Sequence, residues 1–205
     1  MDCCRRRSRF RVCFAGLLLA SLCGALRLHA ETPEPPGGVQ RLTEETHEEA
    51  IQCGQSGADC AIKPYRLCPS QDPGHTAWIA TPFSRVASSV FEFLQRHERV
   101  RPMSPGVANG WGVGIYVSPA AHFDRADSVH RVVIRRGTET IQPITTTIAP
   151  VVLTSRGNVK KQVSKGFFAF PMNAFAPSAD ISIVLTGSLG ESVCTLDRRT
   201  LAALR

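Results

Sequence analysis

Four cysteines, a serine between glycines, a histidine beside two aspartates and a scatter of arginines and lysines are the residues whose types and spacing invite chemistry. Outside the first 30 residues the cysteines are Cys53, Cys60, Cys68 and Cys194. An even number in an exported chain reads as disulfides, and four cysteines allow three pairings. The spacing favours a small Cys53–Cys60 loop and a long Cys68–Cys194 tie, which by chain entropy could contribute on the order of 4–5 kcal/mol. A zinc site of Cys53, Cys60, Cys68 and His75 is the rival. Zinc sites pair cysteines about two to four residues apart, and the gaps here are wider.

Gly54-Gln55-Ser56-Gly57-Ala58 has the outline of a nucleophile-elbow serine. That motif needs a strand before it and a helix after it, whereas the expected Cys53–Cys60 loop encloses this one. It reads as a structural turn. His122-Phe123-Asp124-Arg125-Ala126-Asp127 offers an imidazole and two carboxylates, which a divalent metal accepts. Without a further ligand cluster it reads as a solvated loop. His130 shares a strand face with Val132 and Ile134 and reads as a packed core histidine, and His47, His75 and His97 stand apart. No catalytic residue, metal site or cofactor is assigned.

Gly110-Trp111-Gly112-Val113-Gly114 lacks the Gly-x-Gly-x-x-Gly spacing of a dinucleotide fingerprint. Gly112 and Gly114 instead fall on one strand face, where a backbone or an aromatic ring can approach. Trp111 and Tyr116 read as core packing in preference to a sugar-binding surface. Arg131 and Arg135 share a strand face, Arg136 opens the next turn, and Arg156, Lys160, Lys161 and Lys165 surround a later hairpin. If the hairpins are neighbours, Arg131, Arg135, Arg136, Lys160, Lys161 and Lys165 form a candidate polyanion-contact patch for an acidic polymer or a phosphate-bearing surface. The ordinary role of such charges is to guard sheet edges.

These groups need elements to hold them. Thr76 to Ala80 reads as a strand, and Thr81-Pro82 as a helix N-cap with proline in the first turn. Phe83, Val86, Ala87, Val90, Phe91 and Leu94 recur on one helical face, which predicts an amphipathic helix over 82–99 with Arg85, Ser88, Ser89, Glu92, Arg96 and Arg99 opposite. Past a loop at 102–110 the period becomes two, with Trp111, Val113, Ile115 and Val117 on one face and Gly112, Gly114 and Tyr116 on the other. Further strands are expected at Ser128 to Arg136, Thr138 to Ile148, Val151 to Thr154, Val163 to Phe170, Asp180 to Thr186 and Ser192 to Leu196. Pro143 confines its strand to an edge or a bulge. Asp197 caps a short terminal helix that buries Leu201 and Leu204. About seven short strands imply a mostly β domain, an antiparallel sandwich or open barrel with one main helix.

The first residues carry the block Arg5-Arg6-Arg7-Ser8-Arg9-Phe10-Arg11, then an uncharged run from Val12 to Leu26, then Leu28-His29-Ala30. This is the order of a secretory signal peptide, and the run, at roughly 15 residues, is short of the roughly 20 of a bilayer span. The expected organisation is a signal peptide at 1–30, a largely disordered acidic Pro/Gly-rich linker at 31–52, a cysteine-rich lead-in at 53–75 and a β-rich domain at 76–205. Removing the signal lowers the net charge from +7 to +2, with −6 over residues 31–60 and +8 over 61–205. The expected setting is therefore periplasmic or secreted, with no transmembrane segment after cleavage. Nucleic acid is a poor partner for an exported chain without an evident base-stacking platform.

Thr81-Pro82-Phe83-Ser84-Arg85-Val86-Ala87, Ile141-Gln142-Pro143 and Gly166-Phe167-Phe168-Ala169-Phe170-Pro171 before Ile181 to Leu185 are spaced in a way that is similar to exported bacterial proteins of uncharacterised function. The resemblance covers roughly residues 76–204. It implies an envelope or secreted setting and brings no activity. The leading function is a non-catalytic exported module that binds an envelope protein or an acidic polymer, or serves a structural role. The alternative is a small secreted hydrolase with its site in loops 104–127. On the disulfide reading the exported chain holds no free thiol: denatured without reductant, it should not react with a thiol reagent. Four reactive thiols would restore the metal reading.

Overall fold

The computed structural model describes residues 38–68, 74–120, 123–155 and 157–205. The expected signal peptide and the start of the expected linker lie outside them, as do His122 and Arg156. In chain order the strands are β1 (Arg66–Leu67), β2 (His75–Ala80), β3 (Val113–Pro119), β4 (Val129–Arg136) and β5 (Glu139–Ile141). They continue with β6 (Thr145–Thr154), β7 (Lys160–Phe170), β8 (Ile181–Gly187) and β9 (Gly190–Leu196). The helices are α1 (Glu44–Ser56), α2 (Ala58–Ala61), α3 (Pro82–Gln95), α4 (Pro105–Gly110) and α5 (Arg198–Ala203).

Two antiparallel sheets result, one of order β1-β2-β3-β7-β6 and one of order β5-β4-β8-β9. Alternation sets their inner faces. Ile79, Ile115, Val117, Phe168 and Phe170 of the first sheet meet Val132, Ile134, Ile183 and Leu185 of the second in one core. The expected mostly β antiparallel sandwich is what forms, with nine strands among the described residues and no closed barrel. Pro143 sits at the crossover from β5, an edge of one sheet, to β6, an edge of the other. Its missing N–H is thereby spared a central ladder.

The two disulfides are Cys53–Cys60 and Cys68–Cys194, with Cα separations of 5.4 and 5.5 Å. The first joins the end of α1 to α2. The second ties the chain just after β1 to β9, linking an edge of one sheet to an edge of the other.

Several elements depart from the sequence reading. The acidic stretch expected to be linker up to residue 52 is largely helix, because α1 begins at Glu44. The irregular lead-in expected at 53–75 contains the end of α1, then α2 and β1. Thr43 and Thr46 close a capping box, and Glu44 and Glu45 complement the helix dipole in the first turn. The face that α1 buries is Ala50, Cys53 and Gly54, a stripe of small residues with little hydrophobic signal. α3 stops at Gln95, and Leu94, expected to dock, is 39% exposed. Residues 102–110, expected as loop, include α4, and Trp111 caps that helix instead of opening β3. His130 is exposed because a bulge between Val129 and Arg131 shifts the β4–β8 register and turns it out of the core.

The α1–α3 contact is close because Gly54 has no side chain. A Cβ there would overlap the Ala87 carbonyl oxygen and approach the Val90 side chain. Helix propensity alone says Gly54→Ala gains about 0.5–1 kcal/mol. Overpacking against backbone says it loses about 1–3 kcal/mol. The structure requires the loss to win, so urea unfolding of Gly54→Ala should have a lower midpoint than the wild type. Gln55→Ala, on the exposed side of the same helix, should stay within about 0.5 kcal/mol of it. A stabilised Gly54→Ala would contradict the packing.

Candidate functional site

The outward face of the five-stranded sheet carries the same alternation that fills the core. Trp78 on β2 lies opposite Tyr116 on β3, which lies opposite Phe167 on β7. All three are half-exposed. The Trp78 and Tyr116 ring centroids are 4.5 Å apart at an interplanar angle of 34°. Neighbouring strands are about 4.8 Å apart, so the three side chains form an apolar track about 10 Å long. The Phe167 ring lies over Gly114, where a Cβ would overlap it. The close approach of an aromatic ring expected at that glycine is thus present.

Trp111 extends the track. Its ring meets Phe167 edge-on at 6.2 Å and is 58% exposed. Its position is set by Arg85, which projects from α3. The Arg85 Nη1 donates to the carbonyls of Ala108 (3.1 Å) and Gly112 (2.7 Å), and Nη2 to that of Trp111 (3.5 Å). These carbonyls end α4, where a cation is favoured. The guanidinium carbon stands 5.2 Å from the Phe167 centroid and 6.0 Å from that of Trp111, within cation–π range. Burial lowers the Arg85 pKa to about 10, so the group stays charged at neutral pH.

Beside Trp78 the track borders a groove of about 200 Å³ lined by Tyr65, Trp78, Arg85, Ser88 and Glu92. Burial pushes the Tyr65 phenol up to about 12, with Arg205 pulling more weakly in the opposite direction. Tyr65 is therefore a neutral hydroxyl at ordinary pH. Aromatic faces with a few polar groups at their margin can stack against a ring and hydrogen-bond its substituents. Sequence reasoning placed Trp78 in a strand and Arg85 on the polar face of a helix. The register that aligns Trp78, Tyr116 and Phe167 is what it missed.

The sequence-derived basic residues fall on both sheets. Arg131 and Arg135 are exposed on β4, whereas Lys160, Lys161 and Lys165 stand on β7 of the other sheet. Arg136 is engaged by Glu139, at 3.2 Å from Nε and 3.0 Å from Nη2, and by the Asn173 carbonyl at 2.9 Å. Lys161 donates to the Phe123 carbonyl at 3.4 Å. Ser56 ends α1 and donates to the Cys53 carbonyl at 2.7 Å, without the strand that a nucleophile elbow requires. His47 Nε2 lies 2.8 Å from the Met103 carbonyl.

The residues 104–127, where the hydrolase alternative placed its site, hold α4, β3 and a short 3₁₀ turn. A hydroxyl–imidazole contact occurs elsewhere. Ser192 Oγ on β9 is 3.3 Å from His75 Nε2 on β2, in a cleft of about 460 Å³ that Asp124, Arg125, Asp127 and Glu191 also line. Asp127 there is committed to backbone. Oδ1 accepts from the N–H groups of Ser128 (2.8 Å) and Ser188 (3.0 Å), and Oδ2 from that of Leu189 (3.3 Å). Its carboxylate fixes the β8–β9 turn.

Comparisons with protein-family models, with curated proteins and with solved structures find no match. The site must therefore be read from its own geometry.

Losing the buried Asp127 carboxylate would remove the acceptor of three part-buried hydrogen bonds that hold the β8–β9 turn, so Asp127→Ala should cost about 1–3 kcal/mol in urea unfolding. Asp124→Ala, on an exposed side chain of the same cleft, should cost under about 0.5 kcal/mol. Indistinguishable midpoints would refute the staple role of Asp127.

Proposed function

We propose that this chain is an exported, non-catalytic binding module whose aromatic track holds a carbohydrate polymer. The observation that carries the reading is that Trp78, Tyr116 and Phe167 share one outward sheet face and that Trp111, at the end of α4, extends it around Arg85. Apolar side chains of this size normally fill cores. Here the adjacent rows fill the core, and these rings are left facing out.

The shape favours a polymer over an engulfed small molecule. Pockets for small ligands are about 300–1,000 Å³ and enclose most of the ligand, and the groove beside Trp78 is smaller than that. A chain of sugar rings laid along the track can place the apolar face of one ring on each aromatic. Its hydroxyls then meet Ser88 and Glu92 at the margin. Two disulfides and the absence of any helix long and apolar enough to cross a membrane among the described residues are compatible with an exported setting.

Neutral gluco-, manno- and N-acetylgluco-configured hexasaccharides titrated into the folded chain test this. At least one should bind, and Trp111→Ala should weaken that binding tenfold or more. The thermal midpoint of this variant should fall little, because the Trp111 ring is mostly exposed. Full affinity in both Trp111→Ala and Trp78→Ala, or no binding of any neutral glycan, would reject the reading.

A further inference from the structure

We propose that the free edge of β6, backed by the lysines of β7, takes an extended acidic peptide segment by strand addition. The edge lies one strand beyond Phe167, with Lys165 on the same face of β7 as that ring, and its backbone pairing does not depend on the rings.

β6 is ten residues long and forms the outer edge of its sheet, pairing with β7 over its whole length. An edge strand offers a row of backbone donors and acceptors to any extended chain, and proteins normally blunt such edges with charges on the strand. β6 has none. From Thr140 to Ser155 the sequence carries no charged residue, and Pro150 is the one blunting feature within the strand. Ile144, Ile148 and Val152 are 67%, 45% and 59% exposed. Ile148 and Val152 share a parity within β6, so they stand on one face and flank the edge with an apolar stripe, and Ile144 immediately precedes the strand.

Charge identifies the occupant. Between Glu139 and Asp180 there is no acidic residue, while Arg156, Lys160, Lys161 and Lys165 all fall there. A second copy pairing edge to edge would bring two such cationic hairpins together, and like charges at close range oppose association. An acidic segment is attracted instead. Lys165 lies opposite Ala149 on adjacent strands, whereas Lys161, opposite Leu153, is held by the Phe123 carbonyl and adds its charge from a distance. A strand added beyond β6 is about 10 Å from β7. The exposed Lys165 can lean over the small Ala149 side chain toward an acidic residue there. Alternate residues of the added strand would then face the lysines or the apolar stripe. The preferred ligand therefore alternates acidic and β-branched residues, the mode by which sheet edges recognise extended peptides. The basic residues of β7 thus acquire a partner without Arg136, which Glu139 already holds.

The test uses the folded chain and the peptide acetyl-(Glu-Val)4-amide, with acetyl-(Lys-Val)4-amide and soluble hyaluronate as controls. Hydrogen exchange should slow within 144–155 on adding the acidic peptide, and the affinity should fall at least tenfold between low and physiological salt. The lysine peptide and hyaluronate should give no such protection. Lys161→Glu/Lys165→Glu should lose at least tenfold in affinity with an unchanged far-ultraviolet spectrum. Protection confined to Trp78 or Trp111, equal protection by hyaluronate, or undiminished binding by the double variant would overturn the proposal. So would a dimer whose β6 amides are already protected before peptide is added.

Discussion

The register of β2, β3 and β7 is the constraint on which the rest of this molecule depends. Ile79, Ile115 and Phe168 align across the three strands and are almost wholly buried. Because side chains alternate strictly along a strand, burying that row turns the next one, Trp78, Tyr116 and Phe167, to the outside. A slip of one residue would turn the outward rings inward and expose the Ile79, Ile115 and Phe168 row. The energy of the core, at roughly 1.5–3 kcal/mol per large side chain buried, therefore also holds the aromatic track in place.

The other features reinforce that arrangement from its borders. The Cys68–Cys194 bond joins the two sheets near β1, and its long loop is the kind whose closure most restricts the unfolded chain. At the far side of the track, Arg85 joins three elements with one side chain. It leaves α3, caps the carbonyls of α4 and lies against Phe167 on β7. An arginine suits that post because its planar fork donates to several carbonyls while its face stays on a ring. Replacing it with lysine would keep the charge and lose both geometries.

Much of the fold was legible in the sequence because it rests on signals of short range. Phe83, Val86 and Val90 mark a helical face. Ile181, Ile183 and Leu185 mark a strand. Asp197 marks the terminal helix, where its side chain accepts from Thr200 N at 2.6 Å. Spacing favoured the disulfide pairing that forms but could not by itself choose among the three. What was illegible depends on neighbours far along the chain. α1 buries Ala50, Cys53 and Gly54, residues too small to announce an amphipathic face, and it is held by fit against Ala87 and Val90. His130 moved to the surface through a single bulged residue, which no alternation pattern reveals. The candidate site was harder still. Trp78, Tyr116 and Phe167 are each ordinary strand aromatics, and only the pairing of three strands makes them a surface. Arg85 looked like one more solvated charge on a helix, and the carbonyls that hold it belong to Ala108, read as loop, and to Trp111 and Gly112, read as the start of a strand.

The central claim is that this outward aromatic row is a recognition surface and not simply spare apolar area. The chain has two tryptophans: Trp78 stands in the row, and Trp111 packs edge-on against Phe167 at its other end. Protein labelled with 5-fluorotryptophan should therefore give two fluorine resonances, one for each end of the track. Titration with a glycan that the chain binds should move both, and the Trp111 resonance should move further, because its ring is the more exposed. A bound glycan that leaves both resonances where they were would contradict the account.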